Sequence, residues 1–133
     1  MTGIVIVSHG SLATELLRAA EIIVGRIEDA AAVDIDPKMG VEEIHRAMEA
    51  AIRAVDRGKG VLLLTDMFGG TPSNISLAFL GDSVEVISGV NLSMLIKFAN
   101  HRDERPLPEL AKLVQEAAQK SIVIASQMLK GKK

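Results

Sequence analysis

His9 and Asp66 are the two side chains whose types and placement could do chemistry. Each closes a run of apolar residues. Val5-Ile6-Val7-Ser8-His9-Gly10-Ser11 ends a β-branched stretch in an imidazole, a glycine and a hydroxyl. Val61-Leu62-Leu63-Leu64-Thr65 runs into Asp66-Met67-Phe68-Gly69-Gly70-Thr71-Pro72. An imidazole is nucleophilic only at an unprotonated nitrogen, and a carboxylate accepting the other ring N–H fixes the tautomer and stabilises the cation formed on attack. Gly69-Gly70-Thr71-Pro72 reads as a tight turn into a helix whose first N–H groups suit a small anion, and Gly10-Ser11 offers a second start of that kind. Together they suggest a histidine that itself carries a phosphoryl group. Asp66 would orient His9, while Gly10, Ser11, Gly69, Gly70, Thr71 and Ser73 would hold the phosphoryl oxygens, since phosphoryl transfer needs mainly positioning and electrostatics. Met67 and Phe68 are candidate contacts for a partner protein.

Positioning these groups requires strands that end side by side. Residues 4–7, 32–35, 61–65 and 84–87 read as strands, the first and third apolar on both faces as central parallel strands are. Helices are predicted between them. Leu12, Leu16, Ala19, Ala20, Ile23 and Val24 recur at helical spacing after Ser11 as a cap, with Gly25 as a stop. Val41, Ile44, Met48, Ala51, Ile52 and Val55 make one face of a helix over 41–55, with Glu42 and Glu43 in its first turn, where the dipole favours them. Thr71 as cap with Pro72 at the first helical position starts a short helix that Gly81-Asp82 interrupts. Asn91 or Ser93 caps a helix running to residue 98, and Leu110, Leu113, Val114 and Ala117 mark another over 109–119. Residues 102–108 read as a charged connection. Residues 121–129, with Ile122-Val123-Ile124, are either an edge strand or a continuation of the last helix. Residues 130–133 read as a solvated tail. This alternation predicts one α/β domain over 1–133, a doubly wound, mostly parallel sheet with helices on both faces. Ligands then sit where the strand order reverses, so the first and third strands, if adjacent, bring His9 and Asp66 face to face.

Composition narrows the classes. The chain has 133 residues, 48% hydrophobic, with no tryptophan, tyrosine or cysteine and three phenylalanines, so its core is aliphatic and thiolate chemistry is absent. A net charge of -2 supplies no footprint for nucleic acid. No signal-peptide pattern or bilayer-length apolar run is present, so a cytoplasmic location is expected. Neither a triphosphate loop nor a dinucleotide fingerprint occurs. One histidine and one aspartate without a third ligand make a metal site unexpected, and no cofactor is implied. A hydrolase built on Ser8, His9 and Asp66 is disfavoured, because adjacent strand residues point to opposite sides and no nucleophile elbow exists. A receiver domain would need clustered acids after the first strand. His45 and His101 read as solvated residues, and the charges at 102–105 as solubilising.

The chain resembles the IIA component of the mannose-type sugar phosphotransferase system (PTS). The resemblance rests on Ile4-Val5-Ile6-Val7-Ser8-His9-Gly10, on Asp66-Met67-Phe68-Gly69-Gly70-Thr71-Pro72-Ser73-Asn74 and on Gly89-Val90-Asn91-Leu92-Ser93-Met94-Leu95, in order along almost the whole chain. It implies that His9 takes a phosphoryl group from the carrier protein HPr and passes it to a IIB component, with Asp66 orienting it. It also implies a homodimer in which a C-terminal antiparallel edge strand, here 121–129, swaps between subunits. Peripheral association with IIC and IID membrane components is compatible with it. Met67 stands where some members carry a hydroxyl residue, and where many continue through a linker into a IIB domain this chain stops, so a separate IIB protein is expected. Gly69-Gly70-Thr71-Pro72 favours this type over the related subunit that phosphorylates dihydroxyacetone kinase. A second reading keeps the chemistry but makes the phosphorylation state of His9 a regulatory signal toward a non-transport partner.

Overall fold

Four parallel strands in the order β2-β1-β3-β4 form the centre of the computed structural model, which describes residues 1–131. They are β1 (Gly3–His9), β2 (Ala30–Ile35), β3 (Val61–Thr65) and β4 (Val84–Ser88). The chain moves from β1 outward to β2, then crosses back over β1 to β3, so the order reverses between β1 and β3. These two pair from Gly3↔Val61 to Val7↔Thr65. The doubly wound α/β reading holds.

Alternation along β1 and β3 divides the core in two. Ile4, Ile6, Leu62 and Leu64 pack with α1 (Leu12–Val24), α4 (Leu92–His101) and α5 (Leu107–Lys120), around Phe98, Leu110 and Val114. Val5, Val7, Val61 and Leu63 pack on the other face against Ile44, Met48, Ile52 and Val55 of α2 (Val41–Val55). All five residues of β3 are buried, as a central strand covered on both faces requires. At roughly 1.5–3 kcal/mol per fully buried aliphatic side chain, these layers hold the sheet with a core that is aliphatic apart from Phe98. No helix among the described residues is long and apolar enough to cross a membrane.

The bounds of α1, α2 and β3 match the periodicity. Gly25 closes α1 at φ 85°, and Asn91 caps α4 by accepting the Met94 N–H at 3.1 Å. Three expectations are corrected. Ser11 occupies the N-cap position of α1 without a side-chain cap bond. Thr71 does not cap α3 (Thr71–Ser76); the extended Gly70 takes that position, and a 3₁₀ turn at Leu77–Phe79 follows. Within the chain, residues 121–129 add no strand to the sheet: residues 122–124 join none of its strands, and α6 (Ala125–Lys130) follows. A strand needs a free edge to pair with, and this segment meets none in its own chain. Ile122, Val123 and Ile124 remain 78%, 56% and 62% exposed. The expected tail falls partly on residues 132–133, outside the described residues.

Candidate active site

The β1–β3 register decides the site. His9 lies two residues past the Val7↔Thr65 pair and Asp66 one residue past it, at adjacent carboxyl ends. Asp66 Oδ2 lies 2.7 Å from His9 Nδ1 and also accepts the His9 backbone N–H at 2.9 Å. Its Oδ1 accepts the Met67 N–H at 2.9 Å. Partial burial alone would push the Asp66 carboxyl up, but the two His9 hydrogen bonds, the imidazole charge and the Met67 N–H outweigh it, leaving the carboxyl below its ordinary value. The ionised carboxylate can only accept, so in the neutral ring Nδ1 carries the proton of the Asp66 bond and Nε2 is left with the lone pair.

Nε2 faces the glycine-rich turn. A Cβ added at Gly70 would lie 3.1 Å from His9 Cε1 and 3.6 Å from Nε2, so a side chain there would press on the ring. Gly69, at φ 91°, turns the chain into that position. Thr71 follows, exposed, at the first turn of α3. On the other side Gly10, at φ 58°, donates its N–H to the Ile35 carbonyl at 2.9 Å, so that group is already engaged. Ser11 is exposed, and the Ser11 and Leu12 N–H groups have no acceptor among the described residues.

Ser73 departs from expectation. It is 1% exposed, and its hydroxyl lies 3.3 Å from that of Ser88, so it supports the turn from below instead of facing the opening. Met67 and Phe68 project from the loop, 55% and 76% exposed. His9 itself is about half exposed. A shallow, open surface of this kind suits contact with a macromolecule.

Sequence reasoning missed the residues that start α1. Buried Ser8 accepts the Ala13 N–H at 2.6 Å and Asp34 of β2 accepts the Thr14 N–H at 3.2 Å, so two strand residues do what a Ser11 cap would have done. The Ser8 hydroxyl also donates to the His9 backbone carbonyl at 3.2 Å, so backbone groups engage it, against the hydrolase reading. The pairing of Ser8 with Asp34 across the sheet is the only signal that could have found them, and it is long-range. His45 is not simply solvated; its ring stacks on Phe79 at 4.6 Å. His101 ends α4 and meets Glu104 at 3.1 Å, away from His9 and beside Arg102, which is buried.

Comparison with known proteins shows the family. Residues 3–115 match the family model EIIA-man, described as the PTS system fructose IIA component. The mannose-specific EIIAB component of Escherichia coli K12 is 35% identical over 122 residues, covering 90% of this chain but only 38% of that protein. The fructose-specific EIIA component of Bacillus subtilis is 26% identical over 131 residues, covering 97% of this chain and 90% of that one. Among solved structures, the phosphotransferase system component EIIA of Streptococcus agalactiae superposes with a TM-score of 0.87 at 30% identity, over 96% of this chain and 99% of that one. With its parallel sheet, its reversal point between β1 and β3 and these matches along its length, the chain belongs to the mannose-type EIIA family of the phosphotransferase system.

Proposed function

We propose that this EIIA component is a phosphocarrier whose His9 accepts a phosphoryl group from phospho-HPr and passes it to a IIB component for sugar uptake. The observation that carries this reading is the Asp66 carboxylate on Nδ1, which leaves Nε2 as the nucleophilic nitrogen beside Gly70. In the forward step the Nε2 lone pair forms the new N–P bond while the bond to the donor nitrogen breaks, and the donor imidazole keeps that electron pair. The His9 ring becomes a cation with its proton on Nδ1, opposite Asp66. Return of the phosphoryl group to IIB reverses these events. The Ser11 and Leu12 N–H groups, the Gly69–Gly70 backbone and the Thr71 hydroxyl stand ready for the phosphoryl oxygens, and exposed Met67 and Phe68 provide an apolar contact for donor and acceptor. A cytoplasmic homodimer fits the three exposed β-branched residues at 122–124, which a partner's strand would cover.

The test is label transfer from phosphoenolpyruvate through enzyme I and HPr. Acid-labile, alkali-stable label on wild type and none on His9→Ala is the expected result. Label that persists in His9→Ala would remove His9 from this role, and an unlabelled wild type with active donors would leave a binding module on the same fold.

A further inference from the structure

Below the His9–Asp66 pair lies a chain of three hydroxyls that the reading above does not use. Thr65 Oγ1 donates to Ser88 Oγ at 2.8 Å, and Ser88 Oγ shares a hydrogen bond with Ser73 Oγ at 3.3 Å. Thr65 and Ser73 are 0% and 1% exposed. They bracket residues 66–72, the segment that places Asp66 against one side of the imidazole and Gly70 against the other. Both ends of that loop are therefore tied to one residue of β4. The turn that follows β4 grips the first end twice more, because the Gly89 and Val90 N–H groups both donate to the Thr65 carbonyl at 2.9 Å. The second end has no such backbone tie to β4, so the Ser88 hydroxyl is its link to that strand.

We propose that Ser88 is a positioning residue for phosphoryl transfer at His9: by clasping Thr65 and Ser73 it sets the spacing between Asp66 and Gly70, and with it the orientation and tautomer of the imidazole. The proposal rests on the phosphocarrier reading for its kinetic consequence but not for its structural one. A serine hydroxyl can accept twice and donate once, which is what a hub between two other hydroxyls requires, and alanine removes the link without removing the strand. Each such bond adds little net stability, so the fold survives its loss. The reacting geometry is more sensitive, since misplacement by about 1 Å costs up to about a hundredfold in rate.

The experiment compares wild type, Ser88→Ala, Ser88→Thr and Ser73→Ala by rapid-quench phosphorylation from phospho-HPr and by nitrogen-15 spectra of the imidazole across pH. For Ser88→Ala we expect about tenfold slower acceptance, an unchanged KM for phospho-HPr, and His9 nitrogen shifts moved from a single neutral tautomer toward a mixture. Ser88→Thr, which keeps the hydroxyl, restores both. Ser73→Ala, which breaks only the weaker link, moves both readouts in the same direction and serves if Ser88→Ala does not fold. A wild-type rate and tautomer in Ser88→Ala overturn the clasp, as does slow transfer with an unaltered imidazole spectrum. If wild type accepts no label at all, the phosphocarrier reading fails, and the spectra still decide the clasp.

Discussion

The two ends of the sheet are built to opposite purposes from the same strands. At the amino ends of β1 and β2, Arg102 is 7% exposed and spends its guanidinium on backbone carbonyls. Its Nε and Nη2 donate to Thr2 at 3.1 and 2.6 Å, and its Nη1 donates to Glu28 at 2.6 Å. It also lies 4.9 Å from the centre of the Phe98 ring. Burial pulls this guanidinium below its ordinary value, opposed by the carboxylates of Asp103, Asp29 and Glu28, and it remains charged. Nearby, Gly3 has no room for a side chain: a Cβ there would meet the Val55 carbonyl oxygen. At the carboxyl ends the loops are open, glycines bring backbone close to a ring, and N–H groups are left without partners. One end satisfies its polar groups to hold the chain together. The other leaves N–H groups open where the proposed phosphoryl group would bind.

The sharpest way to break the contrast is Asp66→Asn. The amide can present its N–H to Nδ1 and favour the wrong tautomer, so transfer should fall about a thousandfold, by analogy with orienting carboxylates elsewhere. Rates within tenfold of wild type would make Asp66 a turn residue only. Arg102→Ala acts at the other end. It orphans buried carbonyls and should destabilise the fold by about 3 kcal/mol, read by urea denaturation, while the folded fraction still accepts phosphoryl groups at close to the normal rate. A loss of transfer without a loss of stability would contradict the division between the two ends. Gly70→Ala, at a φ of -83° that alanine tolerates, should leave melting almost unchanged and slow transfer about tenfold through the ring contact. Equal losses of stability and rate would show that the residue serves the turn.

The smallest effect is that of acid. Asp66 has a folded pKa below its ordinary 3.8, so its ionised form stabilises the native state above that value, and this stability is lost as pH falls through the lower folded value. The gap in unfolding free energy between wild type and Asp66→Asn should therefore narrow on acidification from about pH 6 to about pH 3. A widening gap would reverse the sign of the argument.

Much of this was legible in local pattern. The apolar face of 41–55, the all-apolar run at 61–65 and the Asn91 cap each depend on neighbours a few residues away, and the fold reproduces them. The His9–Asp66 pair was legible as a candidate too, because a histidine and an aspartate that end buried strands stand out against aliphatic surroundings. Family motifs reinforced them. The expectations that changed concern where particular polar and terminal residues spend their contacts. Ser11 and Thr71 looked like caps by position, yet Ser8 and Asp34 supply the acceptors for α1 and Gly70 leads α3. Ser73 looked like a phosphate ligand but turns inward to Ser88. Arg102 looked like solvent dressing and is instead buried between strand ends, 100 residues in sequence from the Thr2 carbonyl it holds. Residues 121–129 offered β-branched side chains to a strand that their own chain does not complete.

By itself, then, the sequence determined which residues lie in strands and helices and which two could do chemistry, since periodicity and composition act over a few residues. Only the tertiary structure decided the strand order, which sets His9 beside Asp66. It also decided where each short polar side chain spends its hydrogen bonds. A hydroxyl reaches about 3 Å, and which acceptor stands within that reach is settled by packing between segments dozens of residues apart.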